Sequence, residues 1–211
     1  MKSLRVDRIL LLALCDALVA TFCDGVHVHT ETLSYPDPLW FGQAWWVFPL
    51  FFVAFALLAV TYQCLVAAPW LKLPREYSAS RGEAVPFVEA LVIFVLVYVL
   101  SGFGNYDPAF LGVFFLVTFV LRWLVAPERG FLLLVAVALA LAGMFTEGTL
   151  HQFGLVSYRQ PEIYGVPWWL GGVYLHGAFL LREGMRFLVF SGSSDISGVG
   201  FGDGERRRGS L

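Results

Sequence analysis

The lysines and arginines of this chain are segregated along it in a way that is typical of a membrane-spanning protein. Long apolar runs alternate with short polar stretches, and the mean hydropathy is +0.72. When the apolar runs are taken as spans, thirteen of the fourteen lysines and arginines fall on one side, and Arg159 alone falls on the other. Because positively charged loops stay in the cytoplasm, we predict that both termini are cytoplasmic.

Six apolar runs are candidate transmembrane spans, at residues 9–23, 44–68, 87–101, 109–126, 131–145 and 166–190. A helix needs roughly 20 apolar residues to cross a bilayer, so we expect the first, third and fifth spans to extend into their flanks. The sequence predicts an all-α bundle of six transmembrane helices over residues 1–190. A disordered, basic cytoplasmic tail is expected over residues 191–211. We find no internal repeat by inspection.

Two residues within the spans are unusual. Asp16 lies eight residues beyond Arg8, about 12 Å into the bilayer, where a charged group costs roughly 2.5–3.5 kcal/mol. Its carboxyl group can anchor a ligand in a central cavity or make a structural hydrogen bond between helices, and the sequence leaves both alternatives open. Pro49 lies about one turn inside the second span, where it either kinks the helix or marks its first turn.

Other polar and aromatic residues lie near the ends of the spans. We expect Arg182 and Glu183 to extend to the cytoplasmic interface from the inner end of span six. Tryptophan pairs at the outer ends of spans two and six are typical of an aromatic belt.

Histidines and acidic residues on the outer side, including Glu147 and His151 one helical turn apart, have suitable side chains for a metal but no recognised motif. We therefore predict no metal site. The sequence has no Gly-x-Ser-x-Gly motif, no phosphate-binding glycine loop and no Cys/His pair at useful spacing, so we predict no cofactor and no catalytic residue. The topology and the absence of a basic folded domain predict no nucleic-acid partner.

Residues 43–49, with the sequence Gln-Ala-Trp-Trp-Val-Phe-Pro, resemble the start of span two in the insulin-induced gene (Insig) family of membrane proteins. Thr146-Glu147, then Tyr158 and Trp168, resemble that family's fifth span, outer loop and entry to span six, although the family has glutamine where this chain has Glu147. The family's receptor-docking features are not recognisable here. The resemblance therefore implies a prokaryotic, lipid-binding relative, located in the inner membrane if the source is a bacterium.

On this basis the expected function is to hold a sterol, diacylglycerol or isoprenoid-type lipid in a cavity between helices, without catalysis. A homo-oligomer is a candidate assembly. An alternative comes from the motif Glu147-Gly148 followed by Gly165-Val166-Pro167, which resembles integral membrane carotenoid hydratases and implies that Glu147 is a general acid. The residues predicted to line the ligand cavity are Asp16, Trp45, Trp46, Glu147 and Tyr174.

Overall fold

The computed structural model describes residues 5–192, which form six α-helices and two short strands. The helices are α1 (Val6–His29), α2 (Val47–Ala67), α3 (Ala84–Phe103), α4 (Pro108–Val125), α5 (Arg129–Gln152) and α6 (Leu170–Gly184). Within the described residues, α1 to α5 are long and apolar enough to cross a membrane. The helix α6 continues as a π-helical segment, Met185–Val189, and a short 3-10 turn, Phe190–Gly192. The prediction of an all-α, multi-pass membrane protein is confirmed.

The helices extend beyond the apolar runs, as we expected for the spans that were too short to cross a bilayer. Both α1 and α5 are 24 residues long, so each includes polar residues at its ends. Pro49 is the third residue of α2, where its missing N–H leaves no hydrogen bond unmade and the helix is not broken. The predicted tail from residue 193 onward, with Arg206, Arg207 and Arg208, lies outside the described residues, as does Lys2.

The chain contains an internal repeat, so the expectation of none is wrong. The helices α1 and α5 have the same length, and their bounds differ by 123 residues. The outer loops that follow them align at the same offset without a gap. The residues that match are Ser34, Tyr35, Pro38, Gly42, Trp45 and Trp46 in the first loop and Ser157, Tyr158, Pro161, Gly165, Trp168 and Trp169 in the second. The unit α1–loop–α2 therefore recurs as α5–loop–α6.

The two repeat units are related by a pseudo-two-fold axis. The strands β1 (Leu33–Ser34) and β2 (Ser157–Tyr158) pair in antiparallel fashion at the outer ends of the loops. Ser34 lies opposite Ser157, its own equivalent in the repeat, so the axis passes through this pair. Because both units cross the membrane in the same direction, the axis runs along the membrane normal, as it does in membrane proteins built from parallel repeats.

The unrepeated hairpin α3–α4 makes the two units unequal, because it packs on α6 and leaves α2 uncovered. Eleven of the fifteen residues of α6 are buried. In α2, by contrast, only Val47, Ala59 and Tyr62 of 21 residues are buried. Small residues allow α6 to pack closely, since a Cβ atom at Gly184 would lie 2.8 Å from Leu12 Cδ1 and one at Gly172 would lie 2.7 Å from Phe115 Cβ.

The inner end of α6 differs from the expectation for Arg182 and Glu183. Both side chains are buried, with only 4% and 5% of each residue exposed, instead of extending to the interface. Glu183 accepts a hydrogen bond from Arg182 Nε at 2.9 Å and another from Arg186 Nη1. Arg186 also lies 3.6 Å from the ring centroid of Tyr77 and donates to the carbonyl oxygen of Tyr77. The sequence suggested exposed charges, but these charges pair with one another inside the protein, which avoids leaving any of them unsatisfied there.

Candidate functional site

A small cavity lies in the middle of the bundle, at the interface between the two repeat units. Its volume is about 70 Å³ and its walls are almost entirely apolar. Equivalent positions of the repeat contribute to its lining in pairs: Asp16 corresponds to Leu139, and Phe51 to Tyr174. The lining residues are Asp16, Ala20, Phe51, Phe55, Leu58, Phe94, Tyr98, Leu139, Tyr174, Gly177, Leu180 and Leu181.

Asp16 carries the one carboxyl group among the residues that line this cavity. It lies on α1, where alanines on either side (Ala13 and Ala17 and, one turn on, Ala20) let neighbouring helices approach, and only 6% of it is exposed. No other residue in the described range 5–192 makes a hydrogen bond with its carboxyl group. The sequence left open a structural hydrogen bond from Asp16 to a neighbouring helix. The described residues contain no such bond. A buried polar group without a partner is costly, so a water molecule or the polar group of a ligand is needed to satisfy it.

A second carboxyl group, Asp24, lies two turns further along α1 and is 3% exposed. Tyr35 of the first outer loop donates its hydroxyl to the two Asp24 oxygens, at 3.0 and 2.9 Å. Gln43 donates from Nε2 to the same carboxylate at 2.7 Å and to the carbonyl oxygen of Thr21 at 2.8 Å. The outer loop thereby folds back over the end of α1 and closes the bundle above the cavity.

Glu147 repeats this arrangement in the second unit. It occupies the position equivalent to Asp24, and it accepts hydrogen bonds from Tyr158 at 3.0 Å and Tyr174 at 3.1 Å. Burial, and then the charge of the neighbouring carboxylates, raises the pKa of Tyr35 and of Tyr158 far above the usual range. Both phenols therefore keep their protons and remain hydrogen-bond donors at any physiological pH.

Of the five residues predicted to line the cavity, two lie in its wall and three lie outside it. Asp16 and Tyr174 lie in its wall. Glu147 contacts that wall through Tyr174. Trp46 lies outside, packed edge-on against Tyr35 with ring centroids 5.5 Å apart. Trp45 is 69% exposed at the outer end of the bundle, the position of an aromatic belt residue.

Four residues of the site were not predicted from the sequence: Asp24, Tyr98, Phe51 and Phe55. The internal repeat was the signal that could have found Asp24. Asp24-Gly25 matches Glu147-Gly148, and a Ser-Tyr pair follows each acidic residue at the same distance.

The histidines are separated by the fold. His27 is buried and hydrogen-bonds to Ser101 at 2.7 Å, and His176 contacts Arg122 and Thr118 on α4. Among residues 5–192 no three His, Cys, Asp or Glu side chains converge as metal ligands would. His151 lies on the same helix as Glu147, but the Glu147 carboxylate faces Tyr158 and Tyr174.

The fold is similar to that of a known membrane protein. A crystal structure of a mycobacterial Insig homologue, MvINS from Mycobacterium vanbaalenii, matches with a TM-score of 0.75 and 22% sequence identity over 92% of this chain and all of that one. A structure of a cross-linked MvINS trimer matches with a TM-score of 0.74 and 22% identity over 93% of this chain and all of that one. No protein-family model and no curated protein matches the sequence. The chain is an integral, multi-pass membrane protein with an Insig-like fold.

Proposed function

We propose that this bundle binds a neutral lipid that carries a hydroxyl group, such as a sterol, a diacylglycerol or an isoprenoid alcohol. The observation that supports this most strongly is Asp16, a buried carboxyl group in an apolar cavity with no hydrogen-bond partner among the described residues. A lipid hydroxyl can donate to this carboxyl group and supply the missing partner. The apolar walls suit the carbon skeleton next to that hydroxyl.

The size of the cavity limits how such a lipid binds. A volume of about 70 Å³ equals roughly two water molecules at about 30 Å³ each, which is far less than a whole lipid. We therefore propose that the polar end of the ligand enters the cavity and that its apolar part leaves between helices. The exit is expected beside α2, because α2 is the least buried helix and contributes the half-buried rings of Phe51 and Phe55 to the wall. Rotation of these rings would widen the opening.

The alternative is an enzyme of the hydratase type in which Glu147 donates a proton to an isoprenoid double bond. A general acid has to carry that proton before the reaction. Both Glu147 oxygens accept a tyrosine hydroxyl, and Glu147 is not among the residues that line the cavity, so its carboxyl group does not face a ligand there. We therefore favour lipid binding over catalysis.

We also propose that the chain assembles with copies of itself. A cross-linked trimer is the form in which an MvINS variant was crystallised, and the similar fold supports the proposal of a homo-oligomer here. The largely exposed, apolar face of α2 is available either to lipid or to another copy.

Substitution of Asp16 tests the proposed lipid contact. We expect Asp16→Leu to lose most of the co-purifying neutral lipid, because leucine cannot accept the lipid hydroxyl. Asp16→Asn keeps an oxygen acceptor and should retain lipid with little change in folding. Quantitative lipid extraction from purified protein measures both.

Cys15→Leu is the matched control, since Cys15 precedes Asp16 on α1 but does not line the cavity. It should retain lipid at the wild-type level. Equal lipid content in wild-type protein and in Asp16→Leu would reject the role of Asp16.

A further inference from the structure

A second polar site lies between α3, α4 and α6, away from the central cavity. Two cavities meet there, and Arg122 lines both of them. The first has a volume of about 300 Å³ and a largely polar lining that includes Tyr77, Glu89, Arg182 and Glu183. The second, of about 380 Å³, is an apolar groove between α3 and α4. A polar cavity that adjoins an apolar groove has the shape and polarity of a lipid headgroup joined to its acyl chain.

The hydrogen bonds of Arg122 fix the tautomer of His176. Arg122 Nη1 lies 3.0 Å from His176 Nδ1, and a guanidinium can only donate. His176 Nδ1 is therefore the acceptor, and His176 Nε2 carries the proton. That proton is donated to the Phe115 carbonyl oxygen at 3.1 Å. The neutral imidazole thus satisfies one N–H of Arg122 but contributes no negative charge.

Arg122 has unused donors, unlike the other arginines nearby. The ring of Phe179 lies 4.0 Å from its guanidinium carbon. Within the described part of the chain, no carboxylate forms an ion pair with Arg122, and no protein acceptor faces its remaining N–H groups. Arg182, by comparison, is paired with Glu183 and donates to the Pro127 carbonyl oxygen. Arg122 lies in the last turn of α4, on the side of the other basic residues, where phospholipid headgroups lie. Its free donors there suit a negatively charged group.

Glu89 supplies a negatively charged group to the same cavity. It lies on the first part of α3, is exposed, and lines the same polar cavity as Arg122. It is not within ion-pair distance of any residue between 5 and 192, and its charge acts on Arg122 only across the cavity. A headgroup in this cavity therefore meets a cation and an anion that do not touch each other, which a phosphate together with a primary ammonium group would match.

We propose that this site binds a membrane phospholipid of the phosphatidylethanolamine type. The phosphate lies on Arg122, the ammonium group lies near Glu89, and one acyl chain occupies the groove lined by Ile93, Leu96 and Leu121. Arginine suits the phosphate because its planar donors can bind two oxygens at once. The polar cavity equals roughly ten water molecules at about 30 Å³ each, which accommodates a headgroup. This site does not depend on the function proposed for the central cavity.

Native mass spectrometry of delipidated protein in detergent tests the phosphate contact. The protein is titrated with phosphatidylethanolamine, with phosphatidylglycerol and with diacylglycerol of the same acyl chains. We expect Arg122→Gln to weaken phosphatidylethanolamine binding about tenfold, because it removes charge-assisted hydrogen bonds. Binding of diacylglycerol, which lacks the phosphate, should not change.

Arg129→Gln is the matched control, since Arg129 is exposed at the start of α5 and lines neither cavity. It should bind phosphatidylethanolamine as wild type does. Glu89→Gln should remove the preference of the wild type for phosphatidylethanolamine over phosphatidylglycerol. Equal phosphatidylethanolamine binding by Arg122→Gln and Arg129→Gln would overturn the proposal. So would a wild type that binds phosphatidylglycerol as tightly as phosphatidylethanolamine, or an equal loss of diacylglycerol binding in Arg122→Gln.

Discussion

Replacement of Glu183 by leucine is expected to destabilise the folded bundle by about 3–5 kcal/mol, the usual cost of breaking a buried ion pair from one side. Glu183 accepts hydrogen bonds from both Arg182 and Arg186, and all three side chains are less than a tenth exposed. Without Glu183 the two guanidinium groups remain buried next to each other with no carboxylate between them. Equilibrium unfolding in mixed micelles measures the change in free energy.

The control for this substitution is an ion pair at the opposite end of the molecule. Glu31 lies 2.5 Å from Arg159, but the Glu31 side chain is 80% exposed. Exposed pairs contribute little to stability because water and salt screen them. Glu31→Leu should therefore unfold at nearly the same denaturant concentration as the wild type. A Glu183→Leu variant that is as stable as Glu31→Leu would show that the buried cluster does not hold α6 in place.

Replacement of Glu147 by leucine should have the second largest effect. It leaves the hydroxyls of Tyr158 and Tyr174 without their acceptor. A buried polar group that loses its partner costs about 1–3 kcal/mol, so the two together should destabilise the protein by at least about 2 kcal/mol. The lipid content should also fall, since Tyr174 lies in the wall of the central cavity. Unfolding and lipid extraction on the same preparation measure the two effects.

Glu147→Gln separates lipid binding from catalysis. Glutamine retains an oxygen acceptor and has nearly the same shape, so folding and lipid content should change little. If Glu147 were a general acid, this variant would still bind an isoprenoid substrate but would lose its hydration. Hydration by the wild type that disappears in Glu147→Gln would therefore contradict the binding function.

The mild effect expected of Glu147→Gln has its physical basis in the hydrogen bonds that surround Glu147. Thr146 and Thr149 lie beside Glu147 in the sequence. In the folded chain Thr149 donates its hydroxyl to the backbone oxygen of Phe145, and Glu147 turns inward to two tyrosines. One of these, Tyr158, comes from the outer loop. The arrangement depends on how that loop folds back, which hydropathy does not reveal.

The membrane-spanning architecture was predictable because apolar length and the placement of lysines and arginines follow directly from the bilayer. Asp16 was recognisable for the same reason, since a carboxyl group within an apolar run stands out. The buried ion pairs of Glu183 with Arg182 and Arg186 were not predictable. Charged residues near the end of a span look the same in sequence whether they face water or one another. Only the packing of Arg186 and Tyr77 against them distinguishes the two cases.

The internal repeat was visible in the sequence but was overlooked. Most paired positions of α1 and α5 differ, because lipid-facing positions accept any large apolar residue. The signal lies in the outer loops, where Gly42 and Gly165 both have positive φ, at 76° and 87°. A loop that must turn there favours glycine, so these positions match while the helices diverge. The equivalence of Asp24 and Glu147 follows from that alignment.

The most direct test of the lipid-binding function is native mass spectrometry of the wild-type protein after gentle extraction from its membrane. The expected result is one neutral, hydroxyl-bearing lipid bound per protomer, whose mass distinguishes it from any phospholipid at Arg122. Adding the same lipid to stripped protein should raise the unfolding temperature, because a ligand that binds only the folded state stabilises it. A protomer that carries no neutral lipid and shows no thermal shift with sterols, diacylglycerols or isoprenoid alcohols would contradict this function.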